Sequence, residues 1–203
     1  MNIYVETNFI LELAFEQEQC TSCESVLSLC QTGQAGLIIP AYSLAEPHEK
    51  LSRQAIRRTN LQQQLNAELA QLSRTVSYGD RIRNIQDVSD LITLSNQEER
   101  QRFNQIRSRL ISLAEIIPLT SDILLEAASC ELTYQLRPQD AIVYASVVDH
   151  LQQNQPQRSC FLNRNARDFD DPNIIGELNQ LNCRMLSRFD HGYQFIQAQL
   201  RSS

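Results

Sequence analysis

The sequence predicts an α/β protein of three layers, with a mainly parallel β-sheet between two layers of helices. Short segments rich in β-branched and aromatic residues, such as Ile3–Val5, Leu37–Ile39 and Ser159–Leu162, have the composition of buried strands. Between them lie longer segments whose apolar residues recur every three or four positions, which is typical of amphipathic helices. Strands that alternate with helices favour parallel pairing, because the chain must cross back over the sheet.

The first strand leads directly into a helix, for which Thr7 or Asn8 is the expected N-cap. Glu6 falls between the strand and the helix. Ligands of open α/β sheets bind at the carboxyl edge of the strands, so a carboxylate at this position is a candidate for chemistry. The later acids of this region, Glu12, Glu16 and Glu18, are expected to form a solvated face.

The other elements continue the alternation. They are predicted as a helix over Thr21–Cys30, a helix from Tyr42–Ser43, a strand at Ile116–Ile117, helices over Asp122–Thr133 and Ala141–Leu151, a helix over Ile174–Leu181, a strand over Cys183–Leu186 and a helix over Tyr193–Leu200. Pro47 and Pro138 each suit the first turn of a helix, where the missing N–H is not needed. Glu46 and Asp140 are therefore expected close to helix N-termini.

Residues Leu51–Leu113 predict a helical arm, in pieces separated by breaks, one of them at Tyr78–Asp80. From Lys50 to Leu110 there are eleven basic and six acidic residues, whereas the rest of the chain has seven basic and eighteen acidic residues. The interpretation is a single domain over residues 1–203 with a basic helical insertion at about residues 50–115. The alternative is an amphipathic bundle that thickens the domain.

Composition excludes several classes of protein. No run of eighteen apolar residues is present, so no membrane span is expected. The chain begins in a strand without a basic leader, which favours a cytoplasmic location. The six cysteines are scattered through apolar segments and are expected to be reduced core thiols, the Cys20–Cys23 spacing being incidental. His48, His150 and His191 are expected to be solvated or to cap helices.

Four acids share one predicted location. Glu6 follows the first strand, Glu46 the second and Asp168 the Ser159–Leu162 strand, while Asp140 lies at a helix start. Clustered carboxylates repel each other unless a cation lies among them, so Mg²⁺ or Mn²⁺ is the expected cofactor. The alternative for each acid is a helix-dipole or capping role.

At these acids the sequence resembles the PIN-domain family, many of whose members are metal-dependent ribonucleases, including toxins of the VapC type. The similarity lies in Val5-Glu6-Thr7-Asn8, Ser43-Leu44-Ala45-Glu46, Gln139-Asp140-Ala141 and Asn163-Arg164-Asn165-Ala166-Arg167-Asp168-Phe169. It covers Met1–Glu49 and about Ile116–Leu186. The resemblance implies that Glu6, Glu46, Asp140 and Asp168 bind the metal and are catalytic, with Thr7, Asn8, Asn163 and Asn165 as auxiliary residues.

Two positions depart from the family pattern. The first motif usually carries Asp, where this chain has the longer Glu6, and the acid of the last motif often stands where this chain has Asn165. The fourth ligand is therefore the carbonyl of Asn165, Asp168 directly or through water, or neither.

The resemblance implies a metal-dependent endoribonuclease that hydrolyses RNA phosphodiesters, with a toxin of a toxin–antitoxin pair as one version. An antitoxin and a second copy of the chain are then candidate partners, besides RNA. Arg53, Arg57, Arg58 and Arg164 are candidate RNA-binding residues, because the guanidinium fork suits phosphate. The alternatives are a catalytically weakened PIN-like module that binds RNA or protein without cleavage and, with less support, a phosphatase-like carboxylate nucleophile.

Overall fold

A computed structural model describes residues 1–165 and 169–201 of the chain, with the side chains at 79–81 and 83–87 excepted. The described residues form five strands and eight α-helices. In chain order these are β1 (Asn2–Val5), α1 (Thr7–Ala14), α2 (Cys20–Gln31), β2 (Gly36–Pro40), α3 (Ala41–Leu72), α4 (Gly79–Leu113), β3 (Glu115–Ile117), α5 (Ser121–Tyr134), α6 (Pro138–Asn154), β4 (Ser159–Leu162), α7 (Pro172–Gln180), β5 (Cys183–Leu186) and α8 (Phe189–Arg201).

The five strands form one parallel sheet in the order β3-β2-β1-β4-β5. Strand β1 is central, with Ile3 opposite Leu37 of β2 on one side and Cys160 of β4 on the other. The chain moves from β1 toward one edge through β2 and β3, then returns past β1 to β4. The space beyond the carboxyl ends of β1 and β4 is therefore the topological switch point, where open α/β sheets bind ligands.

Two hydrophobic cores cover the two faces of the sheet, as the predicted three-layer fold requires. Alternate residues of a strand point to opposite faces, so Ile3 and Val5 join the core formed with α1 and α2. Tyr4 joins the other core, which α5 and α6 cover. The strand predictions and the parallel pairing are confirmed.

A helical hairpin occupies the segment predicted as an arm. Helices α3 and α4 pack against each other along their length, and α4 also packs on α1. Helix α4 is continuous, so the separate pieces expected between Tyr78 and Leu113 are wrong. The segment between Leu91 and Phe103 contains neither Gly nor Pro, so nothing there ends a helix.

Three local predictions are also corrected. Glu6, rather than Thr7 or Asn8, is the N-cap of α1. Thr120 is the N-cap of α5, which therefore begins at Ser121, one residue before the predicted Asp122. His150 is buried, with Nδ1 2.9 Å from the Tyr4 hydroxyl and Nε2 3.2 Å from Glu115, rather than solvated. It supports the packing of α6 on the sheet.

All six cysteines are free, five of them buried and Cys20 partly buried. Cys20 and Cys23 both lie in α2, and Cys23 is fully buried. In the described part of the chain, no helix combines the length and the apolar character needed to cross a membrane.

Candidate active site

Glu6 lies at the end of β1 and is 6% exposed. Its carboxylate accepts hydrogen bonds from the backbone N–H of Asn8 at 2.7 Å and of Arg164 at 3.3 Å. Burial raises the pKa of Glu6 to about 7, the two backbone donors oppose the shift, and the charge of Glu46 adds to it. Glu6 thus fastens the end of β1 to the loop that follows β4.

Glu46 is fixed by a residue of a different helix. The hydroxyl of Thr7, in the first turn of α1, donates to Oε2 of Glu46 at 2.5 Å. Glu46 itself lies in the second turn of α3, because that helix begins at Ala41 rather than at Tyr42–Ser43.

Pro47 is consequently inside α3 and not in its first turn, which corrects the sequence prediction. Pro47 cannot donate to the carbonyl of Ser43, four residues earlier. The Ser43 hydroxyl is buried and has no hydrogen-bond partner within the described residues. Burial of Leu44 and Leu51 on either side keeps the helix in place against the sheet.

Asp140 occupies the third position of α6, as Pro138 at the first position predicted. Its Oδ1 accepts a hydrogen bond from Nδ2 of Asn165 at 3.1 Å. Asn163 is 2% exposed, and its Oδ1 accepts from the backbone N–H of Asn165 at 2.7 Å. The loop after β4 is therefore tied to both Glu6 and Asp140. Asp168, the other predicted ligand from this loop, lies outside the described residues.

A polar cleft of about 290 Å³ brings the predicted residues together at the switch point. Glu6, Glu46, Asp140 and Asn165 all line it, as do Thr7 and Asn8. Glu6 and Asp140 are far apart in the chain, so this convergence is produced by the parallel sheet. The cleft therefore brings several carboxylate and amide oxygens close together in a partly buried position.

The ligand chemistry of the cleft fits a hard divalent cation, which prefers carboxylate and amide oxygens. In the described part of the chain, no group of three His, Cys, Asp or Glu side chains is close enough to enclose an ion by itself. Mg²⁺ commonly keeps several waters and takes only one or two protein carboxylates. The donor set therefore suits a hydrated ion.

Sequence reasoning missed the cations at the rim of this cleft. Lys50, Arg53 and Arg137 line it beside the acids, although only Arg53 was a candidate. Lys50 stands four residues after Glu46, which places both on one face of α3. Arg137 is the N-cap residue of α6. Lys50 and Arg137 each lie within four residues of a predicted ligand, Glu46 and Asp140 respectively. This spacing could have identified both cations.

The other candidate RNA-binding arginines differ in their surroundings. Arg58 forms two hydrogen bonds with Glu99, at 2.7 and 2.9 Å, across the hairpin. Arg164 pairs with Glu12 and lies 3.6 Å from Glu18. Arg57 lines a groove next to the cleft. Glu12 is 1% exposed, so its prediction as part of a solvated face is wrong.

These features define an open parallel α/β/α protein with an acidic cleft at its topological switch point. A family model described as PIN domain matches residues 3–169, and the chain therefore belongs to the PIN-domain family. No significant match was found among curated proteins or among solved structures. Membership implies a nuclease-type fold, and such domains are often metal-dependent ribonucleases.

Proposed function

We propose that this protein is an endoribonuclease that uses Mg²⁺ or Mn²⁺ to hydrolyse RNA phosphodiesters. The observation that carries the proposal is the meeting of Glu6, Glu46 and Asp140 in one cleft. These three carboxylates would hold a hydrated cation, one or two of them directly and the rest through its bound waters, with Asn165 or Asp168 completing its surroundings. When bound, a divalent cation supplies an activated water and charge stabilisation at the phosphate.

The residues of the chain hold this arrangement in place. Thr7 orients Glu46 through its hydroxyl, and the backbone N–H groups of Asn8 and Arg164 orient Glu6. Asn165 does the same for Asp140. Side chains fixed in this way lose little freedom when a ligand binds, which is how outer partners support metal affinity.

The rim cations give the cleft a second property. Lys50, Arg53 and Arg137 surround the acids, and their charges attract a phosphodiester toward carboxylates that would otherwise repel it. Arg and Lys at the rim also favour the phosphate over a neutral ligand. The cleft is therefore suited to an anionic substrate held next to a cation.

The test is calorimetric titration with Mn²⁺ together with cleavage of a labelled RNA. Asp140→Asn is expected to weaken Mn²⁺ binding by at least tenfold and to abolish cleavage, because the variant loses a charged oxygen ligand. Asp149→Asn is the matched control. Asp149 lies on the same helix and bonds only Gln153 among the described residues, so both measurements should stay at the wild-type level.

A weakened module that binds RNA or protein without cleavage is the second candidate. It is favoured by Glu6, whose carboxylate already caps α1 and whose charge is disfavoured by burial. RNA binding with no cleavage at millimolar Mn²⁺ would select this candidate. Restoring the family's usual residue by Glu6→Asp would then be expected to restore cleavage.

The toxin version is supported by the similarity of the motifs to those of VapC-type proteins. It predicts growth arrest on induced expression in a bacterium, relieved by Asp140→Asn and not by Asp149→Asn. An antitoxin would then insert into the cleft and block RNA cleavage, and the active form would be a homodimer. Unchanged growth on expression of a protein that cleaves RNA in solution would contradict the toxin role alone.

A further inference from the structure

A second groove lies along α3, next to the acidic cleft. It encloses about 550 Å³ and is lined by Lys50, Arg53, Gln54, Arg57, Arg58 and Leu61. Lys50 and Arg53 line the cleft as well, so the two spaces are adjacent and share part of their wall. Four of the six lining residues are cationic and none is acidic, within the part of the chain that the structure describes.

The groove is basic because of helical spacing. Residues 50, 53, 57 and 61 of α3 follow one another at intervals of three and four, so they form one stripe on the helix surface. The rise of an α-helix is ~1.5 Å per residue, which separates Lys50 from Arg57 by about 10 Å along the axis. The stripe begins one turn beyond Glu46 and leads away from the cleft.

The cations that line the groove differ in how strongly acidic side chains hold them. Arg58 is bound at both of its terminal nitrogens by Glu99 and also by Asn96, so it forms a fixed wall. Arg53 lies 3.7 Å from Glu49, and both side chains are more than two-thirds exposed, an arrangement that contributes little energy. Lys50 and Arg57 have no acidic partner among the described residues.

We infer that this groove binds the phosphate backbone of single-stranded RNA and leads it into the cleft, with Arg57 as the contact farthest from the acids. The inference rests on the proposed ribonuclease function, since it assigns the path of that enzyme's substrate. Lys50, Arg53 and Arg57 form a row of three cations that no strong ion pair holds among the described residues. A row of cations suits a polyanion better than a single phosphate. Among the described residues the lining has cations for phosphate and no aromatic side chain for base stacking. Phosphate contacts carry no sequence information, so binding is expected to be tolerant of base sequence.

The dimensions of the two spaces suit a short length of a single backbone. The cleft, at about 290 Å³, and the groove, at about 550 Å³, span the lower part of the range of small-ligand pockets. Spaces of this size hold a few nucleotides of one backbone.

The test measures RNA binding without cleavage. A fluorescein-labelled, unstructured 12-nucleotide RNA is titrated with the full-length protein in EDTA, and anisotropy is followed at several salt concentrations. Each phosphate contact of a single strand contributes a slope of ~0.7 in log K against log salt, which is about fivefold in affinity at 0.1 M salt. Arg57→Gln should therefore weaken binding about fivefold and reduce the slope by ~0.7.

Arg74→Gln is the matched control, because it removes the same charge from an exposed position just beyond the far end of the same helix. Its binding should equal that of the wild type. Equal losses for both variants would overturn the groove and indicate attraction by overall charge. Duplex RNA that binds as tightly as the single strand, or polyglutamate that binds in an Arg57-dependent way, would also overturn it.

A cleavage assay separates failure of the groove from failure of the proposed function. With Mn²⁺, Arg57→Gln should raise KM for the 12-nucleotide RNA and leave cleavage of a dinucleotide, whose single phosphodiester would lie in the cleft, unchanged. If the wild-type protein binds RNA through Arg57 but cleaves neither substrate, the proposed RNA-binding groove stands and the proposed ribonuclease function is contradicted. If the wild type and Arg57→Gln cleave each substrate with the same KM, only the proposal that the groove binds RNA is contradicted.

Discussion

The carboxylate of Glu12 forms an ion pair with the guanidinium of Arg164, next to the acidic cleft. Glu12 is 1% exposed and also accepts a hydrogen bond from the backbone N–H of Gln19 at 2.5 Å. The side chain of Gln19 in turn accepts from the backbone N–H of Phe189 at 2.7 Å. One buried acid therefore joins the loop after β4 to the starts of α2 and α8.

Arg164→Met is expected to cost more stability than Glu12→Gln, although each removes one partner of the same pair. The first leaves a buried carboxylate without its cation, whereas the second leaves an amide that still accepts from Gln19. We expect about 2 kcal/mol for Arg164→Met, below the value for fully buried pairs because the arginine side chain is 36% exposed. The measurement is urea unfolding.

The double variant supplies the control for this pair. If the two side chains act together, combining the substitutions should cost less than the sum of the separate losses. Additive losses, or a larger loss for Glu12→Gln, would show that the pair does not hold the loop.

Thr7→Val should impair the site without unfolding the protein. Valine keeps the shape of threonine but removes the hydroxyl that donates to Glu46. Loss of an outer partner of a metal ligand typically costs 10- to 100-fold in metal affinity or activity, so about tenfold weaker Mn²⁺ binding is expected. Calorimetry measures the affinity, and circular dichroism checks the fold.

Thr7→Ser is the conservative comparison for this prediction. Serine retains the donor, so Mn²⁺ affinity should return to near the wild-type value. Equal affinities of the valine and serine variants would mean that the hydroxyl does not orient Glu46.

The convergence of the acids could be predicted because it follows from the sheet. Glu6 comes directly after β1 and Asp140 is fixed in the first turn of α6 by Pro138. Parallel strands end at the same edge, so a short local pattern was enough to place both. The rule that proline marks the first turn of a helix, which placed Asp140, failed for Pro47. The burial of Leu44 and Leu51 outweighs the local preference of that proline.

The burial of Glu12 could not be predicted in this way. In the sequence it is followed by Glu16 and Glu18 and has the spacing of a solvated helix face. Its partner Arg164 lies in the loop after β4, the strand that neighbours β1 in the sheet. Pairings between residues so distant in sequence depend on the folded arrangement, which periodicity alone does not contain.

Alkylation should distinguish Cys20 from the other cysteines. Burial raises the pKa of Cys30 and Cys130 to about 11 and that of Cys183 to about 12. Only the thiolate reacts, so these thiols should stay unmodified by iodoacetamide at pH 8 in the native protein. Cys20 is only partly buried and should react first, as peptide mass spectrometry would show.

Unfolding in urea is the control for the alkylation experiment, since all six thiols should then react at similar rates. Rapid modification of Cys30 or Cys183 in native conditions would contradict the packing of α2 or β5. A Cys20→Ser variant should remove the fast phase and leave the fold unchanged.

Glu6 should make the stability of the metal-free protein depend on pH. Its pKa is about 7 in the folded protein, above its ordinary value of 4.5, so folding favours the protonated form. The stabilisation is fully present below pH 4.5 and is lost as the pH rises through 7. The shift corresponds to about 3 kcal/mol between the two limits.

Glu6→Gln carries no titrating group at this position and provides the comparison. Subtracting its free energy of unfolding from that of the wild type, in EDTA between pH 4.5 and 8, cancels the contributions of all other groups. The difference should fall with pH and level off above pH 7, so that the glutamine variant becomes the relatively more stable protein. A difference that stays constant, or rises, would show that the carboxylate of Glu6 is not disfavoured by burial at the end of β1.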